Sequence, residues 1–246
     1  AAHALIAEIA QQTNYDGIWL SSFEAHAWDL LPDANILHAG EYSTLISKIS
    51  DRITIPILVD GDEGGAISIN TIRMVREYHK AGAQGICIED NPSPKRCSFY
   101  GMSAGLEKTS LMCGKIQAAL ENRSADDFAV IARTEALIQH LGQDVALDRA
   151  KAYNDAGCEG FLIHSKSESP EEVLKFADSY HKANLQAPLV CVPTTYNTVS
   201  VNELESAGYS LIIYANYSVR SVVQALFKTF SSIQKGGSLS CANEEV

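Results

Sequence analysis

Positive charge, paired cysteines and long apolar runs are all scarce in this chain. Nineteen Lys and Arg stand against thirty Asp and Glu in 246 residues, a formal net charge of −11 with a pI near 5.0. Such a surface repels phosphate backbones, so nucleic acid is not an expected partner. No apolar run reaches the roughly 18 residues a membrane-spanning helix needs, and no signal-peptide pattern opens the sequence. A soluble, cytoplasmic chain with no membrane partner is expected. None of the six cysteines (Cys87, Cys97, Cys113, Cys158, Cys191 and Cys241) forms a C-x-x-C pair. That excludes a zinc framework and a disulfide scaffold. Cys87, Cys158 and Cys191 lie in or beside apolar runs, where cysteine acts as a small hydrophobe.

What is present is an ordinary globular composition, 46% apolar and 20% charged, arranged as seven short apolar runs. They are Gly17 to Ser21, Pro56 to Asp60, Gly85 to Glu89, Ala129 to Arg133, Gly160 to His164, Pro188 to Val192 and Leu211 to Ala215. The runs are continuous rather than alternating, as in parallel strands covered on both faces. Helix-period segments lie between them, at 70–81, 107–121, 147–156, 170–182 and 219–233, and several stop at Ala-Gly (Ala81-Gly82, Ala156-Gly157, Ala207-Gly208). Alternation of this kind predicts a parallel sheet with right-handed crossovers. At about 250 residues a single α/β barrel is the economical architecture. The expectation is therefore one (β/α)8 TIM-type barrel over 1–235, beginning near the end of strand one. Ala4 to Gln12 already has helical character, so the eighth strand must precede or include Ala1-Ala2-His3. An open doubly wound sheet is the rival, but the sequence carries no glycine fingerprint for it. The longest irregular stretch, Asp90 to about Gly105, has the length of a functional lid. Residues 236–246 read as a polar C-terminal extension or linker.

Catalysis in a barrel belongs at the C-terminal ends of its strands. Those ends carry Ser21 and Ser22, Asp60 and Asp62, Glu89 and Asp90, Arg133 and Glu135, His164, Thr194 and Asn216. Alone, Asp60-Gly61-Asp62 is a solvated acidic turn. At a strand end beside Glu89 it offers three hard oxygen ligands suited to Mg2+, with Gly61, Gly64 and Gly65 leaving room for the ion and its waters. Arg133 either pairs with Glu135 or a neighbouring acid, or grips a phosphoryl or carboxylate group through its planar fork. His164 is either a hydrogen-bonded structural residue or a donor to an oxyanion. His79 and His181 fall on helices, where surface positions are expected.

In this order the residues resemble the phosphoenolpyruvate mutase and isocitrate lyase superfamily over nearly the whole chain. The resemblance is carried by Trp19-Leu20-Ser21-Ser22-Phe23, Pro32-Asp33-Ala34-Asn35-Ile36-Leu37, Val59-Asp60-Gly61-Asp62 and Ile88-Glu89-Asp90. Pro94-Lys95-Arg96-Cys97-Ser98 occupies the gating loop, followed by Val130 to Ala136, Ile163-His164-Ser165-Lys166, Val192-Pro193-Thr194 and Tyr214-Ala215-Asn216. His164-Ser165-Lys166 and Val192-Pro193-Thr194 are similar to the carbon–phosphorus branch. Departures stand beside them. Asn91 replaces a lysine and Cys97 an asparagine of the mutase loop, Lys95-Arg96-Cys97 is similar to the lyase loop, and Glu63-Gly64-Gly65-Ala66 stands where Thr-Gly-Tyr-Gly is expected.

The resemblance implies an enzyme acting on a small 2-oxo acid or phosphonate, usually a homotetramer with an exchanged C-terminal helix. It implies Mg2+ at Asp60, Asp62 and Glu89, a substrate carboxylate held near Ser21, Ser22 and Phe23, and a phosphoryl group gripped by Arg133 and His164 with Ser98 assisting. Asp33 matches the family's catalytic aspartate, and Lys95 and Cys97 arrive with the lid. Interconversion of phosphoenolpyruvate and phosphonopyruvate is the first expectation, and phosphonopyruvate hydrolysis the second. Cleavage of 2-substituted malates using Cys97 is the third, and a non-catalytic barrel the last.

Overall fold

Each of the seven apolar runs forms a strand. The structure, a computed structural model, describes residues 1–95, 105–125 and 127–235. The strands are β1 (Ile18–Leu20), β2 (Ile57–Asp60), β3 (Gly85–Glu89), β4 (Ala129–Thr134), β5 (Gly160–Ile163), β6 (Leu189–Cys191) and β7 (Tyr209–Ile212). They pair in chain order, every pair parallel. β7 begins at Tyr209, two residues before the apolar run, and its pairing with β6 shifts register between Leu189 and Val190.

Around the sheet run α1 (Ala4–Gln12), α2 (Ser22–Trp28), α3 (Ala39–Ser50), α4 (Ser68–Ala81), α5 (Thr109–Asn122), α6 (Gln143–Asp155), α7 (Glu171–Lys182), α8 (Val201–Ser206) and α9 (Tyr217–Gln234). The Ala-Gly stops hold: Gly82, Gly157 and Gly208 all take left-handed φ just past α4, α6 and α8. The sequence reading had no α2 or α3. In α3 the hydroxyls of Ser43 and Thr44 donate back to the carbonyls of Ala39 and Gly40, which weakens the local helical signal. Burial of Tyr42, Ile46 and Ile49 outweighs it. His181 is exposed as expected, but His79 is not a free surface residue. It is half-buried, its ring 5.1 Å from Phe128 and its Nε2 3.4 Å from Asp127.

The sheet buries two separate apolar layers. The larger lies between the strands and the helices. The smaller is Cys87, Ile131, Leu162, Val190, Val192 and Ile213, with Trp19, Leu58 and Ala215 packed against it. Leu58, Cys87, Ile131 and Leu162 sit on neighbouring strands, and the strand period of two carries each of them to a polar residue on the same face: Asp60, Glu89, Arg133 and His164. The small layer is thus the floor on which the polar strand ends stand.

Among the described residues the sheet has seven strands, not eight, and Ala1-Ala2-His3 is not strand. The Ala1 ammonium instead donates to the Trp19 carbonyl at 2.6 Å. β1 and β7 are unpaired on their outer edges, yet Ile18 and Trp19 of one and Leu211 and Ile212 of the other line a single mostly apolar cavity of about 610 Å3. The sheet therefore curls until its two edges face one another. Among the described residues no helix is long and apolar enough to cross a membrane.

Candidate active site at the strand ends

Asp60, Asp62, Glu89, Arg133 and His164 are brought together as the sequence predicts, at 9% exposure or less each. Glu89 and Arg133 are direct register partners on β3 and β4. The Arg133 Nε donates to Glu135 Oε1 at 2.6 Å and lies 3.2 Å from Glu89 Oε2, while Nη2 meets His164 Nδ1 at 2.9 Å. Of the two readings of Arg133, the structure shows the ion pair, and those acids fix the plane of its fork.

Burial lowers the pKa of His164, and the Arg133 guanidinium lowers it further. Its Nδ1 is shared, 2.9 Å from Arg133 Nη2 and 3.3 Å from Glu135 Oε1: a neutral ring accepts there from the guanidinium, and an imidazolium donates there to the carboxylate. Glu135 is buried too, but Arg133 and His164 hold its carboxyl well below the usual carboxylate range.

Asp90 organises the same region from behind. It accepts from Thr134 Oγ1, the Glu135 backbone N–H, Tyr153 OH and Arg149 Nη1, all between 2.7 and 3.0 Å. Arg149 also donates to the Glu107 carbonyl, and the Glu107 N–H to the Asp90 carbonyl. One carboxylate thus anchors both the end of β4 and the segment leading into α5.

The other half of the site is built on Lys95, whose contacts no local pattern announces. Its ammonium donates to Asp62 Oδ1 at 2.5 Å, Asp33 Oδ1 at 2.9 Å and Ser22 Oγ at 3.0 Å. Burial would depress this ammonium's pKa, but Asp62, Glu89, Asp60 and Asp33 together raise it well above a lysine's ordinary value. Ser22 also donates from Oγ and, at 3.4 Å, from its backbone N–H to Asp60 Oδ2. Ser21 caps α2 by accepting the Glu24 N–H, and its hydroxyl reaches Asn216 Oδ1. Phe23 is half-buried in α2. Cys97 and Ser98 lie outside the described residues.

His26, which sequence reasoning missed, is fully buried and holds the Asp33 loop in place. Its Nε2 accepts the backbone N–H groups of Ile36 and Leu37, and its Nδ1 meets the Ser22 carbonyl at 2.7 Å. The signal was available only with α2, which places His26 one turn after Ser22.

The glycines serve a different purpose from the one expected. A Cβ at Gly61 would strike the Ile86 side chain at 2.7 Å, one at Gly64 the Ile88 side chain at 2.8 Å, and one at Gly65 Asn70 at 2.4 Å. They let the turn pack tightly rather than leave space for an ion. Among the described residues no group of three His, Cys, Asp or Glu side chains is drawn to metal-ligand spacing. The acids gather instead around Lys95 and Arg133. Their chemistry still suits a hard divalent cation: the donors are oxygens, buried, and Glu89 Oε2 has no hydrogen-bond partner. Burial pushes the Glu89 carboxyl up to about 8 and that of Asp62 up to about 6, against the pull of Arg133 and Lys95.

A parallel sheet whose strand ends collect buried acids, a guanidinium and an imidazole over an apolar floor has the arrangement of an α/β enzyme for a small molecule. The comparisons narrow that class. The phosphoenolpyruvate phosphomutase family model matches residues 2–234. The phosphonopyruvate hydrolase of Variovorax sp. (strain Pal2) is 37% identical over 242 residues, 97% of this chain and 82% of the relative. The crystal structure of phosphoenolpyruvate phosphomutase from Streptomyces platensis subsp. rosaceus superposes with a TM-score of 0.96 at 39% identity, covering 100% of this chain and 85% of that one. A phosphonopyruvate hydrolase in complex with oxalate and Mg2+ gives a TM-score of 0.92 at 35% identity, over 100% and 84%. The chain belongs to the phosphoenolpyruvate phosphomutase family.

Proposed function

We propose that the protein interconverts phosphoenolpyruvate and phosphonopyruvate. The observation that carries this is the Arg133–His164 contact beside Glu89 on adjacent strand ends, in a chain matched by the phosphomutase family over 2–234. Phosphoryl transfer asks chiefly for positioning and charge stabilisation. Arg133, oriented by Glu135 and Glu89, offers a planar fork to phosphoryl oxygens, and the His164 imidazole stands beside it. The substrate carboxylate would be taken near Ser21, Ser22 and Phe23, replacing the long Ser22 N–H contact to Asp60. Mg2+ would be held by Asp60, Asp62 and Glu89 and would supply Lewis-acid polarisation of the 2-oxo acid. Lys95 would keep Asp33 and Ser22 as partners and arrive with the lid that carries Cys97 and Ser98. The near-complete burial of these groups supports transfer over loss of the phosphoryl group to water.

Hydrolysis of phosphonopyruvate is the second reading, favoured by the 37% identity to the Variovorax hydrolase. The fold reading extends to a full (β/α)8 barrel over 1–235, closed by an eighth strand in the apolar slot between β1 and β7, with 236–246 as an extension. The homotetramer that the family resemblance implies would use the apolar stripe on α9, where Phe227 is 71% and Phe230 63% exposed. A reducing cytoplasmic setting accords with the free Cys87, Cys113, Cys158 and Cys191.

The test against carbon–carbon cleavage is Cys97→Ser, assayed on phosphonopyruvate and on 2-substituted malates. Phosphoryl chemistry needs no thiol proton, so activity on phosphonopyruvate should stay within about tenfold, whereas loss of a general acid/base costs about 10²–10⁴. A hundredfold collapse with turnover of malates alone would refute the proposal.

A further inference from the structure

Glu63 follows Asp62 directly, is 1% exposed, and has no role in holding substrate or metal in the scheme above. Its carboxylate accepts Asn35 Nδ2 on both oxygens, at 2.9 and 3.0 Å, and Ser93 Oγ on Oε1 at 3.0 Å. Its own carbonyl takes the buried Lys115 ammonium at 2.7 Å. The donors matter for where they lie. Asn35 is two residues beyond Asp33, and Ser93 is two residues before Lys95. Asp33 and Lys95 are the 2.9 Å ion pair that joins two separate loops over the site. Asn35 also holds a left-handed φ of 51°, a conformation that persists where the surroundings over-determine it. A buried carboxylate is costly unless hydrogen-bonded, and Glu63 draws its donors from both loops at once.

We propose that Glu63 is a positioning residue that clamps the Asp33 loop to the segment leading into Lys95, and so sets the geometry of the Asp33–Lys95 pair. Its catalytic consequence rests on the carbon–phosphorus activity proposed above; the clamp itself does not. Glu63→Ala should lower kcat by about 10- to 100-fold, the scale of a 1 Å misplacement, with KM and Mg2+ affinity changed little. Glu63→Gln keeps one acceptor oxygen in place and should restore most of kcat. Hydrogen exchange gives a readout independent of turnover: in Glu63→Ala, residues 31–38 and 91–95 should exchange faster while 129–135 stay as they are. Should Glu63→Ala fail to fold, Asn35→Ala removes the Asp33-loop side of the clamp and should speed exchange in 31–38, and Ser93→Ala removes the other side and should speed it in 91–95. Unchanged exchange in both segments, undiminished kcat in Glu63→Ala, or a loss of kcat that Glu63→Gln does not relieve would each overturn the clamp. A parent protein that turns over no phosphonopyruvate would refute the activity alone, and the exchange pattern would still decide the clamp.

Discussion

At the strand ends of β2 to β5, buried charges find their partners within the chain: Lys95 with Asp33 and Asp62, Arg133 with Glu89 and Glu135, Asp90 with Arg149. Along the seam between β1 and β7 the surface is mostly apolar, the strand edges are unpaired among the described residues, and two of the four residues of β7 are exposed. Both regions are concave and both belong to one curled sheet. Charges buried at the strand ends had to be paired locally, because an orphaned charge is too costly to leave. Apolar surface carries no such directional demand, so the seam can stay open. The candidate site thus lies where the buried charges are already paired.

The strongest way to break that division is to remove one of its acids. Asp60→Ala should abolish turnover while the circular dichroism spectrum is kept, and exhaustive chelation should do the same to the parent until a divalent cation is restored. Full activity after chelation would remove the metal from the account. Arg133→Ala comes next. Loss of a donor from a transition-state anion site costs about 2.7–4 kcal/mol, so kcat/KM should fall a hundredfold or more. The variant should also lose stability, by about 3–5 kcal/mol, because Glu89 and Glu135 lose their buried counter-ion. A tenfold or smaller fall in kcat/KM with that same loss of stability would make Arg133 a purely structural pair.

On the other side of the comparison, Phe227→Asp with Phe230→Asp should reduce the assembly size seen by light scattering. The smallest effect concerns thiols. Burial raises the pKa of Cys87, and pushes Cys158 and Cys191 up to about 12. Native alkylation followed by peptide mass spectrometry should leave these three unmodified, and labelling of any of them before unfolding would contradict their place in the core.

How far the sequence alone reaches follows the same division. Asp60, Glu89, Arg133 and His164 were legible because each ends an apolar run, and a parallel sheet brings consecutive run ends together. Lys95 could be placed by resemblance, but not its partners, which lie 62 and 33 residues away along the chain at Asp33 and Asp62. His26 was hidden because α2 went unread. The seven-stranded sheet was legible from its runs, and its curl from the barrel they imply; the eighth strand was expected from the barrel alone, with no run of its own, and is not found among the described residues.

Carbon–phosphorus chemistry at the strand ends is tested most directly by following phosphonopyruvate by 31P NMR with purified protein and Mg2+. The expected result is conversion of its signal to that of phosphoenolpyruvate, lost in Arg133→Ala. Release of free phosphate instead would contradict the mutase and establish the hydrolase, and an unchanged spectrum would contradict both.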